Sequence, residues 1–271
     1  METPVRLDRT LIRVSGADAR SFLQGLLTQD LDRLDAAGVL YAALLSPQGK
    51  LIADMFLWGQ SDGGVLIDAD PARGAELLRR LLLYKLRAQV NIETVSGQAA
   101  VLMSDAPFAS AIADPRLPAL GWRAIAESAG TASPGDAWLL ARRIASGVPD
   151  LAIDAAPEEV FALEALLEEL HGVDFQKGCF VGQENVSRMK RRATTRRKFC
   201  PLVFDGPAPA PGTPVRAGEA EIGTMRSGIA GHALALLRLD RAIGAARLEA
   251  GGRAVRLAPP DWLILPQAEP Q

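Results

Sequence analysis

The 271-residue chain contains only two cysteines and two histidines, and none of the four is paired at a metal-binding spacing such as CxxC or HxxxH. No intrinsic metal is expected, because zinc sites rely on clustered thiolate and imidazole ligands and a self-held iron–sulfur cluster needs more thiolates than the chain holds. No apolar run approaches the ~18–20 residues of a membrane-spanning helix, so no membrane partner is expected. The phosphate-loop pattern GxxxxGK[ST] is missing, as is GxGxxG after a strand, which makes nucleotide hydrolysis and Rossmann-type redox chemistry poor hypotheses. METPVRLDRTLIRV, at the start, holds no signal-peptide apolar core and does not read as a transit peptide. Two cysteines 21 positions apart form no disulfide framework, so the expected compartment is a reducing cytoplasm.

What is present is an ordinary globular composition, 48% hydrophobic and 23% charged. The formal net charge of −2 hides an asymmetry. Residues 188–198, RMKRRATTRRK, carry seven basic side chains and no acid; thirty basic residues less these seven leave 23 against 32 acidic ones elsewhere. A basic strip on an acidic body points to a local anionic partner, or to a solvated loop or charge-protected edge strand.

LIRV (11–14) reads as a strand, and Ser15 with Asp18 has capping-box spacing before a helix carrying Phe22, Leu23, Leu26 and Leu27 inward. YAALLSPQGKLIADMFLWG (41–59) reads as two strands around a turn at Ser46–Gly49, and VLIDA (65–69) as another strand. Pro71 opens a helix, residues 89–93 return as a strand, and WLLARRIASG (138–147) reads as strand and turn. Pro157, Glu158 and Glu159 announce a helix to Gly172 with Val160, Leu163, Leu166, Leu167 and Leu170 as its apolar stripe and Glu164 at the edge of that stripe. Beyond residue 200, short strands between close turns predict a small β-barrel or sandwich. The fold class is α+β, with a first region over 1–198 and a C-terminal β-domain over 199–271.

FQKGCFVGQE (175–184) is the sharpest local feature. Cys179 stands between Gly178 and Gly182, which permit tight turns or close approach. Lys177 and the basic strip would favour a thiolate if near in space, whereas a free cysteine is more often a small buried apolar residue. Both readings stay open. Cys200 reads as core. Asp54 interrupts the apolar strand GKLIADMFLW, and alternation puts it on the side of Ile52 and Phe56, facing a pocket.

FQKGCFVGQENVSR resembles the signature of the YgfZ family, folate-binding proteins related to the glycine-cleavage aminomethyltransferases and associated with assembly or repair of iron–sulfur enzymes. VSGADARSFLQGLLTQDL, SPQGKLIAD, YKLRAQV, RIASGVPD and FALEALLEELHGVDF resemble further family segments in order and spacing. The resemblance implies a ring of α+β subdomains around a channel for tetrahydrofolate, with a C-terminal antiparallel β-barrel. It implies that Lys177 and Cys179 are the reactive pair and that Gly182, Gln183, Glu184 and Arg188 complete the signature, with Gln183 and Glu184 binding the cofactor. Asp54 would contact the reactive pterin edge and Glu164 would hydrogen-bond the pterin. Arg188 and Arg196 of the basic strip would hold the folate glutamate tail. The chain departs from the pattern at Phe180, where tyrosine is frequent, and at Ala53, where the aminomethyltransferases tend to have a second aspartate. The implied partners are iron–sulfur client or assembly proteins. The alternatives are a folate-dependent aminomethyl or methyl transferase, and an RNA partner for the strip, which has only Phe199 to stack on bases.

Overall fold

Two short N-terminal strands, β1 (Val5–Leu7) and β2 (Thr10–Ser15), separate at once into different sheets. In the computed structural model, which describes residues 3–95, 97–127, 132–193 and 195–266, β2 leads to α1 (Ala19–Leu26) and α2 (Leu34–Ala37). The predicted capping box does not form. Asp18 is the N-cap and its carboxylate instead accepts the Gln89 amide at 2.8 Å, tying the helix start to a distant loop. Leu23, Leu26 and Leu27 are buried as expected, each contributing about 1.5–3 kcal/mol when fully removed from water.

The hairpin β3 (Val39–Leu45) and β4 (Leu51–Gly59) turns at Ser46–Gly49, where the Gly49 amide donates to the Ser46 carbonyl. With β5 (Val65–Ala69), helix α3 (Pro71–Lys85) and β6 (Asn91–Thr94) it completes an antiparallel sheet of order β3-β4-β5-β2-β6. Every residue of β3 is buried because both faces are covered, which is why VLYAALL shows no apolar–polar alternation. One face carries Ile12, Met55, Leu57 and Ile67 with Leu23 and Leu77 of the helices; the other carries Tyr41, Phe56, Trp58 and Leu66. Ile52 is the extra residue of a bulge, since Leu44 pairs with Ala53 and Leu45 with Leu51. It therefore packs on the helix-covered face, while Asp54, opposite Ala43, stays on the face of Phe56.

A second sheet, order β1-β7-β9-β8, adds β7 (Ala100–Ser104), β8 (Ile112–Ala113) and β9 (Trp122–Ala126). Residues 136–145 then form helix α4 (Asp136–Ala145), not the strand expected of WLLARR. Arg143 and Ile144 of α4 are buried, so an arginine occupies a core-facing position that polarity alone assigns to solvent.

The helix expected over 157–172 is not there. Glu158, Leu166 and His171 have φ of 57°, 62° and 56°, and the stretch is a series of turns. Its first amides and carbonyls are taken by the hairpin: Leu51 donates to the Val160 carbonyl and Glu158 to the Leu51 carbonyl, both at 2.9 Å. The stripe residues are buried nonetheless, together with Ala162 and Ala165 between them. The basic strip begins as helix α5 (Gln183–Arg192) rather than as a loop; Thr194 lies outside the described residues.

Six strands close the C-terminal barrel: β10 (Arg197–Val203), β11 (Pro214–Ala217), β12 (Ala220–Ile229), β13 (His232–Arg238), β14 (Leu248–Ala250) and β15 (Arg253–Leu257), in the order β10-β13-β12-β11-β14-β15. β10 pairs with both β13 and β15, which closes the ring. The division suggested at 198/199 falls inside β10, and residues 267–271 lie outside the described residues. Cys200 is fully buried in the barrel core, and burial pushes its thiol up to about 12.

Candidate functional site

The signature segment is tied down on both sides of its cysteine. The Lys177 ammonium donates to the carbonyls of Gln24, Leu27 and Gln29 at 2.7–2.8 Å, at and beyond the C-terminal end of α1. Burial lowers it to about 8, opposed by Asp30, Asp174 and Asp32. This lysine anchors the loop to α1. Phe180 is buried under it, with the ammonium 5.5 Å from the ring centroid. Gly182 adopts φ +83°, and a Cβ there would lie 2.6 Å from the Ser46 carbonyl oxygen and 3.0 Å from the Gly49 Cα. The SPQG turn and the signature glycine therefore pack backbone to backbone, and the Asn185 side-chain amide donates to the Gln48 carbonyl at 2.9 Å. Gly182→Ala is expected to cost about 1–3 kcal/mol through left-handed strain and the displaced turn, read as a lowered urea midpoint. Between these anchors Cys179 is exposed.

Asp54 occupies the other candidate site. Its Oδ2 accepts the Tyr41 hydroxyl at 2.8 Å, and it lines a small inner pocket of about 30 Å³ with Arg9, Arg116, Arg143 and Asp150. That volume suits about one water. The pocket shares Leu7, Arg9, Asp70, Leu139, Arg143 and Asp150 with an outer cleft of about 500 Å³, within the usual range for small-molecule sites. Burial raises the Asp54 carboxyl, as does the Asp150 carboxylate, while the Tyr41 hydroxyl, Arg9 and Arg116 only partly offset them.

Beneath the pocket lies a chain of buried charges that no sequence motif announces. Arg9 pairs with Asp68; Arg123 bridges Asp68 at 3.2 Å and Asp114 at 3.1 Å; Arg116 pairs with Asp114 at 2.9 Å. All three guanidiniums lie over the Phe56 ring, Arg123 closest at 3.4 Å from its centroid. Burial would raise Asp114, but Arg116 and Arg123 hold it at about 2. The network joins β5 of one sheet to β9 of the other and shapes the floor on which Asp54 stands.

The remaining candidates stand elsewhere. Glu164 is buried, but both its oxygens accept from Arg197 at 3.0 and 3.1 Å, and Oε2 also caps the Phe161 amide; it lines neither the pocket nor the cleft. Gln183 and Glu184 open α5, and Arg188 sits one turn on. Glu184 and Arg188 line a separate surface groove with Arg191 and Arg192, and Arg196 is exposed before β10. Neither Cys179 nor the strip lines the Asp54 cleft.

Comparison with known proteins accounts for this architecture. The chain is similar to the crystal structure of the glycine cleavage system aminomethyltransferase T from Bartonella henselae, with a TM-score of 0.77 over 96% of this chain and 86% of that one at 14% identity, which defines an aminomethyltransferase-like fold. Residues 196–264 match the CAF17 C-terminal beta-barrel domain. The sequence is 32% identical to the human mitochondrial iron–sulfur cluster assembly factor IBA57, across 95% of this chain and 84% of that protein, and 30% identical to the Mus musculus protein, across 96% and 85%. The chain belongs to the IBA57 family. The matches name this family rather than the YgfZ family that the signature suggested. They also overturn the cytoplasmic expectation, because the human, mouse and Neurospora crassa relatives are mitochondrial; cysteine count distinguishes a reducing compartment from an oxidising one and cannot separate cytoplasm from organelle.

Proposed function

We propose that the chain is an iron–sulfur cluster assembly factor that binds a reduced folate in the Asp54 cleft and acts on its partner proteins through Cys179. The observation that carries this reading is the build of the signature segment, in which Lys177 and Phe180 are buried and Cys179 between them is exposed. Such a thiol is positioned by the fold yet free to meet a cluster-bearing partner, the cluster being cargo rather than a resident group. The fit to folate rests on the cleft. Its apolar walls, Leu7 and Leu139, suit a flat heterocycle; Asp70 and Asp150 on the cleft, and Asp54 in the inner pocket that shares six of its lining residues, offer acceptors to ring N–H and amino donors. A reduced folate would supply a one-carbon carrier or a two-electron donor. Tyr41 donates to the Asp54 carboxylate, and the buried Arg116 and Arg123 pair with Asp114 in the same region.

Calorimetric titration with tetrahydrofolate under reducing, anaerobic conditions tests the cleft. Saturable one-site binding is expected, weakened about tenfold or more in Asp54→Asn by loss of a charge-assisted hydrogen bond. The same variant should be more thermally stable. Asp54 is raised in the folded state, so the stability linked to its protonation is present below its ordinary 3.8 and is lost as pH rises through the folded value. At neutral pH the ionised group is a cost that asparagine removes. No binding by the unsubstituted protein, or unchanged binding by Asp54→Asn, sinks the folate assignment.

A further inference from the structure

Helix α5 separates two hollows. Glu184, Arg188, Arg191 and Arg192 line an open groove of about 340 Å³ on one face. On the other, Met189, Lys190 and Ala193 form one wall of a groove of about 310 Å³, whose far wall is Leu239, Ile264 and Leu265. The strip's seven basic residues divide into two sets. Lys190 pairs with Glu168, Arg197 with Glu164 and Lys198 with Glu169, so these three lock the strip to the 158–172 segment. Arg188, Arg191, Arg192 and Arg196 are exposed, and among the described residues none has a carboxylate within 4.0 Å, although Glu184 shares their groove. The negative end of the α5 dipole favours cations in the last turn but does not reach Arg188 or Arg196. Ile264 at the second groove is 63% exposed, large for an isoleucine beside a buried ion pair.

We infer that α5 is a docking ridge straddled by an acidic protein partner, with the arginine groove on one flank and the apolar groove on the other. Carboxylates of that partner meet Arg188, Arg191 and Arg192, and an apolar side chain enters the groove at Ile264 and Leu265. Charge complementarity sets the sign: guanidiniums with no carboxylate partner among the described residues, gathered on an otherwise acidic chain, attract an anionic surface and speed its encounter. A protein fits better than RNA because Phe199, the aromatic that ends the strip, is fully buried and offers no face for a base. The inference rests on the reading that this chain works on partner proteins.

Fluorescence anisotropy with a short labelled peptide of glutamates flanking a leucine pair, beside an oligouridylate of equal length, tests it. The unsubstituted chain should bind the peptide saturably, with affinity falling as salt rises. The Arg191→Glu/Arg192→Glu variant should bind about tenfold or more weakly, since two attractive contacts become repulsive. Ile264→Ser should weaken binding while leaving its salt dependence unchanged. The proposal fails if the peptide does not bind, if the double variant binds it equally, or if the oligouridylate binds more tightly through the same arginines. Tetrahydrofolate titration of the double variant separates the two readings, because neither changed residue lines the cleft. Retained folate binding with lost peptide binding supports the surface. Peptide binding by an unsubstituted chain that ignores folate sinks only the cleft assignment.

Discussion

Arg123→Leu is expected to destabilise the protein by about 3–5 kcal/mol, read as a fall in the urea midpoint at unchanged slope. Arg123 is 1% exposed and is the cation that touches both Asp68 and Asp114. Leucine would fill part of the volume over Phe56 but leave two buried carboxylates sharing only Arg9 and Arg116. Breaking a buried network from one side is costly because the desolvation of the remaining charges is no longer offset. Arg123→Lys should recover only part of the loss, since an ammonium cannot reproduce the planar fork between two carboxylates. The acid limb provides a second check. Asp114 is held at about 2, below its ordinary 3.8, so its stabilisation is complete above 3.8 and disappears as pH falls through 2. A loss under about 1 kcal/mol for Arg123→Leu would make the network dispensable, placing it with ordinary surface pairs.

Cys179→Ser should abolish rescue of iron–sulfur enzyme activity in cells lacking the protein while moving stability by less than about 0.5 kcal/mol, because exposed positions away from caps and cores are tolerant. Cys200→Ser is the matched control. It places a hydroxyl in the barrel core beside Leu202 and Val255 and should destabilise without a specific loss of rescue. Full rescue by Cys179→Ser would refute a role for the thiol, and the signature would then be explained by the packing of Lys177, Phe180 and Gly182.

Much of the fold was legible because its signals are local. The SPQG turn, the helix after Pro71 and the short strands beyond residue 200 each follow from turn chemistry, φ restriction or alternation within a few residues. The errors fall where distant groups take over local ones. The apolar stripe over 160–170 has helical spacing, yet the hairpin takes its first backbone groups and Leu166 turns left-handed. WLLARR looked like a strand because Arg143, which reaches Asp154 at 3.0 Å, is a buried member of a helical face. Asp18 had a capping partner in sequence and found the Gln89 amide instead.

The same division runs through the site. Sequence alone determined the signature, the exceptional carboxylate in β4, the C-terminal β-domain and the basic strip, since each is written in contiguous residues. Tertiary structure decided that the Lys177 ammonium donates to the Gln24, Leu27 and Gln29 carbonyls, that Glu164 belongs to Arg197, and that three of the strip's seven cations are ion-paired while, among the described residues, the other four have no carboxylate partner. It also moved Ile52 away from Asp54, through a bulge that shifts Ile52 to the opposite face of β4 while Asp54 stays with Phe56. Those outcomes depend on which buried charge finds which partner across the chain, and in a low-dielectric interior that pairing outweighs any preference a residue carries alone.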